Sequence, residues 1–472
     1  MLYTKNDNYE LHLGKMQDVL PTLLSDSIDA IITDPPYELN FMNKGWDNSG
    51  VAFQVDTWKH CLRVLKPGGY LLAFGGTRTY HRIACAIEDA GFEIRDCIMW
   101  LYGSGFPKSM NIGLAIDKHN GIESPVIGQN EQILQKQAKD LREGKRTIVD
   151  SYNAGASDRN TGFVNVSADI KQAQNEWSGW GTALKPAYEP IIVARKPFSG
   201  SLVDNIIEYR VGGLNIDECR VPHNEDCKLM KKQESINSII KQSGRYEDTL
   251  ELKPEGRFPA NVIHDGSDEA TSGMPNTKGN NPQELGEYGY CWEGARDDKQ
   301  MSRGYDDEGS ASRYFYCAKA SRRDRDEGCE QLDNTFNACS NQAIAEFKRG
   351  NSEFSDENNS TFNKVYIGKN THPTVKPVAL MQYLIRLVCP KGSIILDPFN
   401  GSGSTGKAAM YENNDRNAHY YYIGVEMTEE YLPISKARID YAITNEISLD
   451  VIGDESEATN NKPKQKIKVE LW

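Results

Sequence analysis

No stretch of the sequence approaches the roughly 18 consecutive apolar residues that a membrane-crossing helix needs, so no membrane partner is expected. The opening Met1-Leu2-Tyr3-Thr4-Lys5 lacks the apolar core of a secretion signal. Ten cysteines are scattered through 472 residues and none forms a C-x-x-C pair. Free thiols in a reducing cytoplasm fit that pattern better than a disulfide framework. Cys219-x-x-x-His223-x-x-x-Cys227 is spaced too loosely to define a zinc site, so no metal is assigned. Positive charge is also short: the formal net charge is −13. As a global number this opposes bulk nucleic-acid binding. It leaves room for a local basic groove, because binding depends on where Lys and Arg sit.

What is present reads as an enzyme-sized globular chain of two or three domains, 38% hydrophobic and 26% charged. Strand and helix patterns alternate in its first 120 residues. Tyr9–Leu13 and Ala30–Thr33 read as strands, Val55–Val64 as a helix, Leu65–Gly69 as a turn, and Tyr70–Phe74 as a strand. Thr79–Ala90 follows as an amphipathic helix and Phe92–Leu101 as another strand. Such alternation predicts an α/β fold, a doubly wound parallel sheet with helices on both faces. From Gln129 to Asn175 polar residues dominate and a mobile loop is expected. Tyr188–Arg195 reads as a strand that returns to the sheet. The irregular region beyond Lys196 reads as an inserted domain with a basic cluster at Lys319–Arg325. The α/β pattern resumes at Lys376, with a helix over Pro377–Val388.

Two stretches carry chemistry. Ile31-Ile32-Thr33 runs into Asp34-Pro35-Pro36-Tyr37. The prolines fix φ and surrender two backbone donors, and Asp34 is biased to extended geometry by the proline after it. The result is a stiff platform that presents a carboxylate, a free carbonyl and an aromatic face. Two acceptors and a ring suit an exocyclic amino group on a base; a capping Asp on a Pro-Pro loop is the plain alternative. The second stretch is Ile394-Ile395-Leu396 followed by Asp397-Pro398-Phe399-Asn400-Gly401-Ser402-Gly403-Ser404-Thr405-Gly406-Lys407, with Glu426 closing the next strand. Three readings stand. Gly401-x-Gly403-x-x-Gly406 with an acid roughly 20 residues on matches a dinucleotide site. Gly401 through Lys407 matches a phosphate-binding loop, except that Ala408 stands where a Mg²⁺-holding Ser or Thr belongs. S-adenosylmethionine is the third, and it alone uses Asp397: a carboxylate there suits a ligand carrying ammonium and sulfonium and repels pyrophosphate.

Taken together, the two stretches resemble those of the amino-methyltransferases of DNA that act on adenine N6 or cytosine N4. The order of parts is similar to the β group, and His372-Pro373-Thr374-Val375-Lys376-Pro377 is similar to the segment ahead of that family's cofactor loop. The long inserts are similar to those of members carried by phages and mobile elements. The resemblance implies a Rossmann-like methyltransferase sheet, circularly permuted, with an inserted irregular target-recognition domain. The divisions that follow are a catalytic part over 1–128 and 176–200, a polar insert at 129–175, target recognition at 201–370, a cofactor part at 371–445 and a flexible tail at 446–472.

Carried over by position, the resemblance implies that Asp34 and the Pro35 carbonyl grip the target amine, with Pro36 stiffening the loop and Tyr37 stacking on a flipped base. Phe399, Gly401, Gly403 and Ser404 shape the pocket for S-adenosylmethionine. Asp397 lies near its methionine end, Glu426 takes the ribose hydroxyls, and Lys376 closes over the cofactor. The partner implied is double-stranded DNA, with a homodimer and a separate restriction enzyme as further expectations. Asp rather than Ser at position 34 favours adenine N6 over cytosine N4. Two positions depart from the pattern: Lys15 replaces an acid, with Asp18 nearby, and Tyr188-Glu189 stands where His-Glu is commoner. No Pro-Cys pair of the cytosine-C5 type occurs. Methylation of RNA or of a protein amide, a non-catalytic DNA-binding relic and an ATPase are the competing readings.

Overall fold

The computed structural model describes residues 1–39, 45–105, 109–129, 169–222, 256–278, 308–318, 323–332, 335–338 and 365–445. Ten strands form one sheet: β1 (Leu2–Lys5), β2 (Tyr9–Leu13), β3 (Ile28–Thr33), β4 (Leu65–Phe74), β5 (Glu93–Leu101), β6 (Tyr188–Arg195), β7 (Val262–His264), β8 (Tyr316–Cys317), β9 (Ile394–Asp397) and β10 (Tyr421–Glu426). Their spatial order is β1-β2-β10-β9-β3-β4-β6-β5-β7-β8. The run from β2 through β4 is parallel throughout. Only β1 and β6 run against their neighbours.

Side chains of successive strand residues point to opposite faces, and each face has its own core. Tyr9, Ala30, Ile32, Leu72, Ile395 and Tyr422 pack on one side. Ile31, Leu71, Ala73, Leu396, Ile423 and Val425 pack on the other. The first core is covered by the helices Val378–Val388, Ser404–Arg416 and Leu432–Thr444, the second by Val55–Val64 and Tyr80–Asp89. In chain order these are α1 (Val55–Val64), α2 (Tyr80–Asp89), α3 (Val378–Val388), α4 (Ser404–Arg416) and α5 (Leu432–Thr444). This is the α/β, doubly wound arrangement that the alternating pattern predicts, and no helix of the described residues is long and apolar enough to cross a membrane.

The structure departs from the sequence reading in three places. The turn expected at Leu65–Gly69 is a bulge within β4: Ile28 pairs with Leu65, yet Ala30 pairs with Tyr70. Gly68, at φ +80°, lets the extra residues loop out, and Lys196 ties the loop down through both of its backbone groups. The region expected to stand apart as a recognition domain over 201–370 is instead partly built into the sheet. Asn261–Ile263 and Tyr314–Tyr316, short apolar runs in the sequence, yield β7 and β8, which pair in parallel beyond β5. Burying such short strands requires a neighbour whose edge is open, and β5 offers one. Residues 223–255 and 279–307 lie outside the described residues. The polar stretch 129–175 is closed at its base by a hairpin, Val126–Gln129 against Asp169–Lys171. Asp117 locks that base, accepting hydrogen bonds from Ser124, the Gln174 backbone N–H and Asn175. The Gln174 N–H, the strongest of these influences, holds the Asp117 carboxyl below its usual range. The loop proper, 130–168, and the tail, 446–472, lie outside the described residues.

Candidate active site

The site follows from sheet order. After β9 the chain runs through α4 to β10 on one side, and after β3 it runs through α1 to β4 on the other. The loops leaving β9 and β3 therefore part, and open α/β sheets bind ligands in such a crevice at the carboxyl ends of the strands. Pairing of Leu396 with Ile31 brings the two motif loops out side by side. A cavity of about 1650 Å³ spans both. Asp34, Pro35, Pro36, Tyr37, Lys376, Asp397, Phe399, Gly401, Ser404 and Glu426 all line it, and Gly403 lies in the turn behind.

On the β9 side, glycine is needed for two distinct reasons. Gly401 and Gly403 have φ of +51° and +73°, values that L side chains rarely adopt. A Cβ at Gly403 would also fall 2.4 Å from Ser435 Oγ. Glu426, at the end of β10, accepts from Gly401 N at 2.8 Å and from Thr428 N at 2.8 Å. Burial pushes its carboxyl above the usual range against those two donors. A carboxylate can accept about four hydrogen bonds, so Glu426 keeps capacity for a diol. His372 lies against Gly401 and edge-on to Tyr431. Burial brings the His372 imidazole down to about 4, so it is neutral at physiological pH.

Asp397 has a structural duty that the sequence does not reveal. Its Oδ1 accepts from Thr33 Oγ1 at 2.6 Å and from Phe399 N at 3.1 Å, and its Oδ2 accepts from Thr405 Oγ1 at 2.8 Å. One carboxyl thus braces β3, the glycine turn and α4. Burial pushes its pKa up to about 7, with the three donors opposing. Between pH ~4 and ~7 the folded protein therefore holds a proton that the unfolded chain releases, and stability falls as pH rises through that window. Asp397→Asn removes this dependence. Its stability relative to the parent should improve by roughly 3 kcal/mol from pH 4.5 to 7.5, as read by urea unfolding; a constant difference would refute the assignment.

On the β3 side, the Tyr37 hydroxyl donates to Glu189 Oε2 at 2.9 Å and the Tyr37 carbonyl accepts from Thr79 at 2.8 Å, so the ring is held at both ends. Asp34 Oδ2 receives the Lys376 ammonium at 2.6 Å, and Asp34 Oδ1 is buried with no partner. Lys376, the residue expected to close over the cofactor, sets its ammonium in the Asp34 loop, where a second carboxylate, Glu189, stands 3.3 Å away. Burial opposes the Lys376 charge, but Asp34 and Glu189 together lift its pKa above the ordinary value.

Glu189, which the sequence marks only within the Tyr188-Glu189 departure from the family pattern and without a role, stands in the site. Because β6 runs antiparallel, its first residues reach the edge where its neighbours end. The other omission is Arg438 of α5, fully buried, which donates to the Ser402 carbonyl at 2.6 Å, to the hydroxyls of Ser402 and Ser404, and to the Asp324 carbonyl at 2.8 Å. In the basic cluster, Arg325 is exposed and also donates to the carbonyls of His372 and Asn370; Lys319 and Arg322 lie outside the described residues, as do His223 and Cys227. Lys407, the lysine of the phosphate-loop reading, is fully buried and pairs with Glu327 at 2.8 Å, away from the cavity. Gly14 through Asp18, with Lys15 in place of an acid, line the cavity's far wall.

A doubly wound sheet that sets a carboxylate-braced glycine turn beside the Asp34-Pro35-Pro36-Tyr37 loop is the arrangement of a methyltransferase. A sequence model of the DNA methylase family matches residues 28–437, and the chain belongs to this N6/N4 DNA methylase family. It is 24% identical over 165 residues to the type II methyltransferase M.HindIII of Haemophilus influenzae, covering 34% of this chain and 38% of that one. It is 46% identical over 67 residues to the type II methyltransferase M2.MboI of Moraxella bovis, covering 14% and 22%. The matches thus span about two-fifths and one-fifth of those relatives' lengths. Among solved structures, the M1.HpyAVI complex with S-adenosylmethionine aligns over 91% of this chain and 99% of its own, at 14% identity and a TM-score of 0.33, a likeness too distant to assign residues. S-adenosylmethionine is the family's methyl donor. The cavity fits it: acidic groups and a neutral imidazole surround the glycine turn, as suits a ligand that carries an ammonium and a sulfonium.

Proposed function

We propose that this protein methylates the exocyclic N6 of adenine in double-stranded DNA at specific sites, taking the base out of the helix. The observation that carries the reading is the adjacency of a buried, unpaired acceptor to the glycine turn. Asp34 Oδ1 is buried without a partner, in the same cavity as Asp397, Gly401 and Glu426. A buried acceptor left unpaired is costly, and an incoming N–H would relieve that cost.

When bound, S-adenosylmethionine supplies an electrophilic methyl group. The chain's own residues prepare the nucleophile. The amino nitrogen of a base is conjugated to its ring and buried in the duplex stack, so the base must be extruded to be reached. Asp34 and the Pro35 carbonyl each accept one amine N–H, which draws the nitrogen towards sp³ and localises its lone pair. Asp34 then faces the positive charge that develops on nitrogen. Tyr37, pinned by Glu189 and Thr79, offers a fixed stacking surface. Positioning by these groups accounts for much of the rate, as in other reactions of oriented reactants.

Adenine is favoured over cytosine because Asp, not Ser, occupies position 34; both amines need the same grip. The purified protein, incubated with DNA and labelled cofactor and then digested to nucleosides, should yield labelled N6-methyladenine. Label found only in N4-methylcytosine would overturn the choice of base. Sequencing methylated DNA from an expressing host gives the recognition site in the same experiment.

A further inference from the structure

Lys376 belongs to the stretch that leads into α3, yet its ammonium lies in the amine clamp. It donates to Asp34 Oδ2 at 2.6 Å and to Tyr37 Oη at 3.2 Å, and it forms an ion pair with Glu189 Oε2 at 3.3 Å. Three oxygens thus surround one ammonium, which carries three N–H groups. The Phe74 ring faces it at 4.9 Å, a further stabilising contact for a cation. Of the two Asp34 oxygens, Oδ1 is sealed from solvent and Oδ2 is the one already filled. In the free protein, therefore, an amine N–H gains Asp34 only when the ammonium contact opens and uncovers its acceptors.

We propose that Lys376 is an internal stand-in for the target amino group: its ammonium fills the clamp in the free enzyme and passes to Glu189 as the extruded base takes Asp34. The proposal rests on the amino-methyltransferase reading and deepens it. Stranding a buried ammonium without a carboxylate carries a heavy desolvation penalty. Glu189 removes that penalty, since it already stands at 3.3 Å on the other side of the ammonium. The withdrawal also has a catalytic sense. Positive charge develops on the target nitrogen, and a fixed ammonium on the same carboxylate would oppose it. The stand-in further sets a threshold for entry. A tethered ammonium competes at high effective concentration, so a stray amine with no ring to stack on Tyr37 is excluded. A base delivered by the duplex brings that stacking and displaces it.

The test uses the full-length protein and a duplex carrying the site identified by sequencing methylated host DNA. Duplex Kd is read by fluorescence polarisation and KM by label transfer, at pH 7.5. Lys376→Met should lower both by about threefold or more, because competition for Asp34 is gone, and Lys376→Gln should follow it. Glu189→Gln should raise KM by about tenfold, because the ammonium has nowhere to go. The deciding result is the double variant: Lys376→Met should rescue Glu189→Gln to within about threefold of Lys376→Met alone. Calorimetric binding of S-adenosylmethionine confirms that each variant is folded. If the single losses multiply in the double variant, or Lys376→Met weakens duplex binding, Lys376 is a structural anchor and the handover is wrong. If the parent protein labels no DNA, the methyltransferase reading itself fails, and this proposal with it.

Discussion

Asp34→Asn should lower methyl transfer by about 10²–10³-fold while leaving S-adenosylmethionine affinity nearly unchanged. The substitution keeps size and shape. It removes the negative charge that faces the amine as that nitrogen turns cationic, and it replaces one acceptor oxygen by a donor. Asp34→Ala removes both acceptors and should abolish transfer. Neither change should collapse the site, because the Lys376 ammonium keeps Glu189 at 3.3 Å as a carboxylate partner. Cofactor binding should survive because the contacts that shape the turn come from Asp397, Glu426 and Arg438. Single-turnover transfer and calorimetric cofactor binding separate the two effects. Retained transfer in Asp34→Ala would refute the role given to Asp34.

Arg438→Met should weaken S-adenosylmethionine binding by about tenfold or more and lower stability by on the order of 3 kcal/mol. Arg438 is fully buried, and burial pulls its pKa down from its usual value. One guanidinium nitrogen holds the Ser402 carbonyl and the hydroxyls of Ser402 and Ser404; the other holds the Asp324 carbonyl. Methionine fills the volume and strands both carbonyls, and each buried unpaired acceptor costs about 1–3 kcal/mol. The turn between Gly401 and Ser404 would then lose the donor that fixes its carbonyl side. Arg438→Lys keeps the charge but cannot reproduce the planar fork, so it should fall between the two. Calorimetry and thermal unfolding measure these effects together. Cofactor affinity in Arg438→Met within threefold of the parent would show that the turn is held without it.

Much of the fold could be read from local pattern. Tyr9–Leu13, Val55–Val64 and Tyr188–Arg195 appear in the structure with the bounds that periodicity and turn residues suggest. Those segments are decided by burial of one face or both, which leaves a periodic trace. β7 and β8 were visible as short apolar runs, but their place in the central sheet was not, since three or two residues carry no information about which edge they will join. The Pro67-Gly68-Gly69 bulge reads as a turn in the sequence for a similar reason: glycine announces a break in the pleat without saying whether the strand resumes.

The candidate site divides along the same line. Asp34-Pro35-Pro36-Tyr37 and Gly401-x-Gly403 were determined by the sequence alone, because proline fixes φ and glycine opens positive φ wherever they occur. The partners of the buried charges were decided only by the tertiary structure. Lys376 meets Asp34 across 342 positions, and Thr33 meets Asp397 across 364. A buried charge takes whichever counter-group the sheet order sets beside it, and that order places β9 between β10 and β3. Hence Asp397 is a brace, Lys407 a cation turned away from the cavity, and Lys376, expected to close over the cofactor, a partner of Asp34.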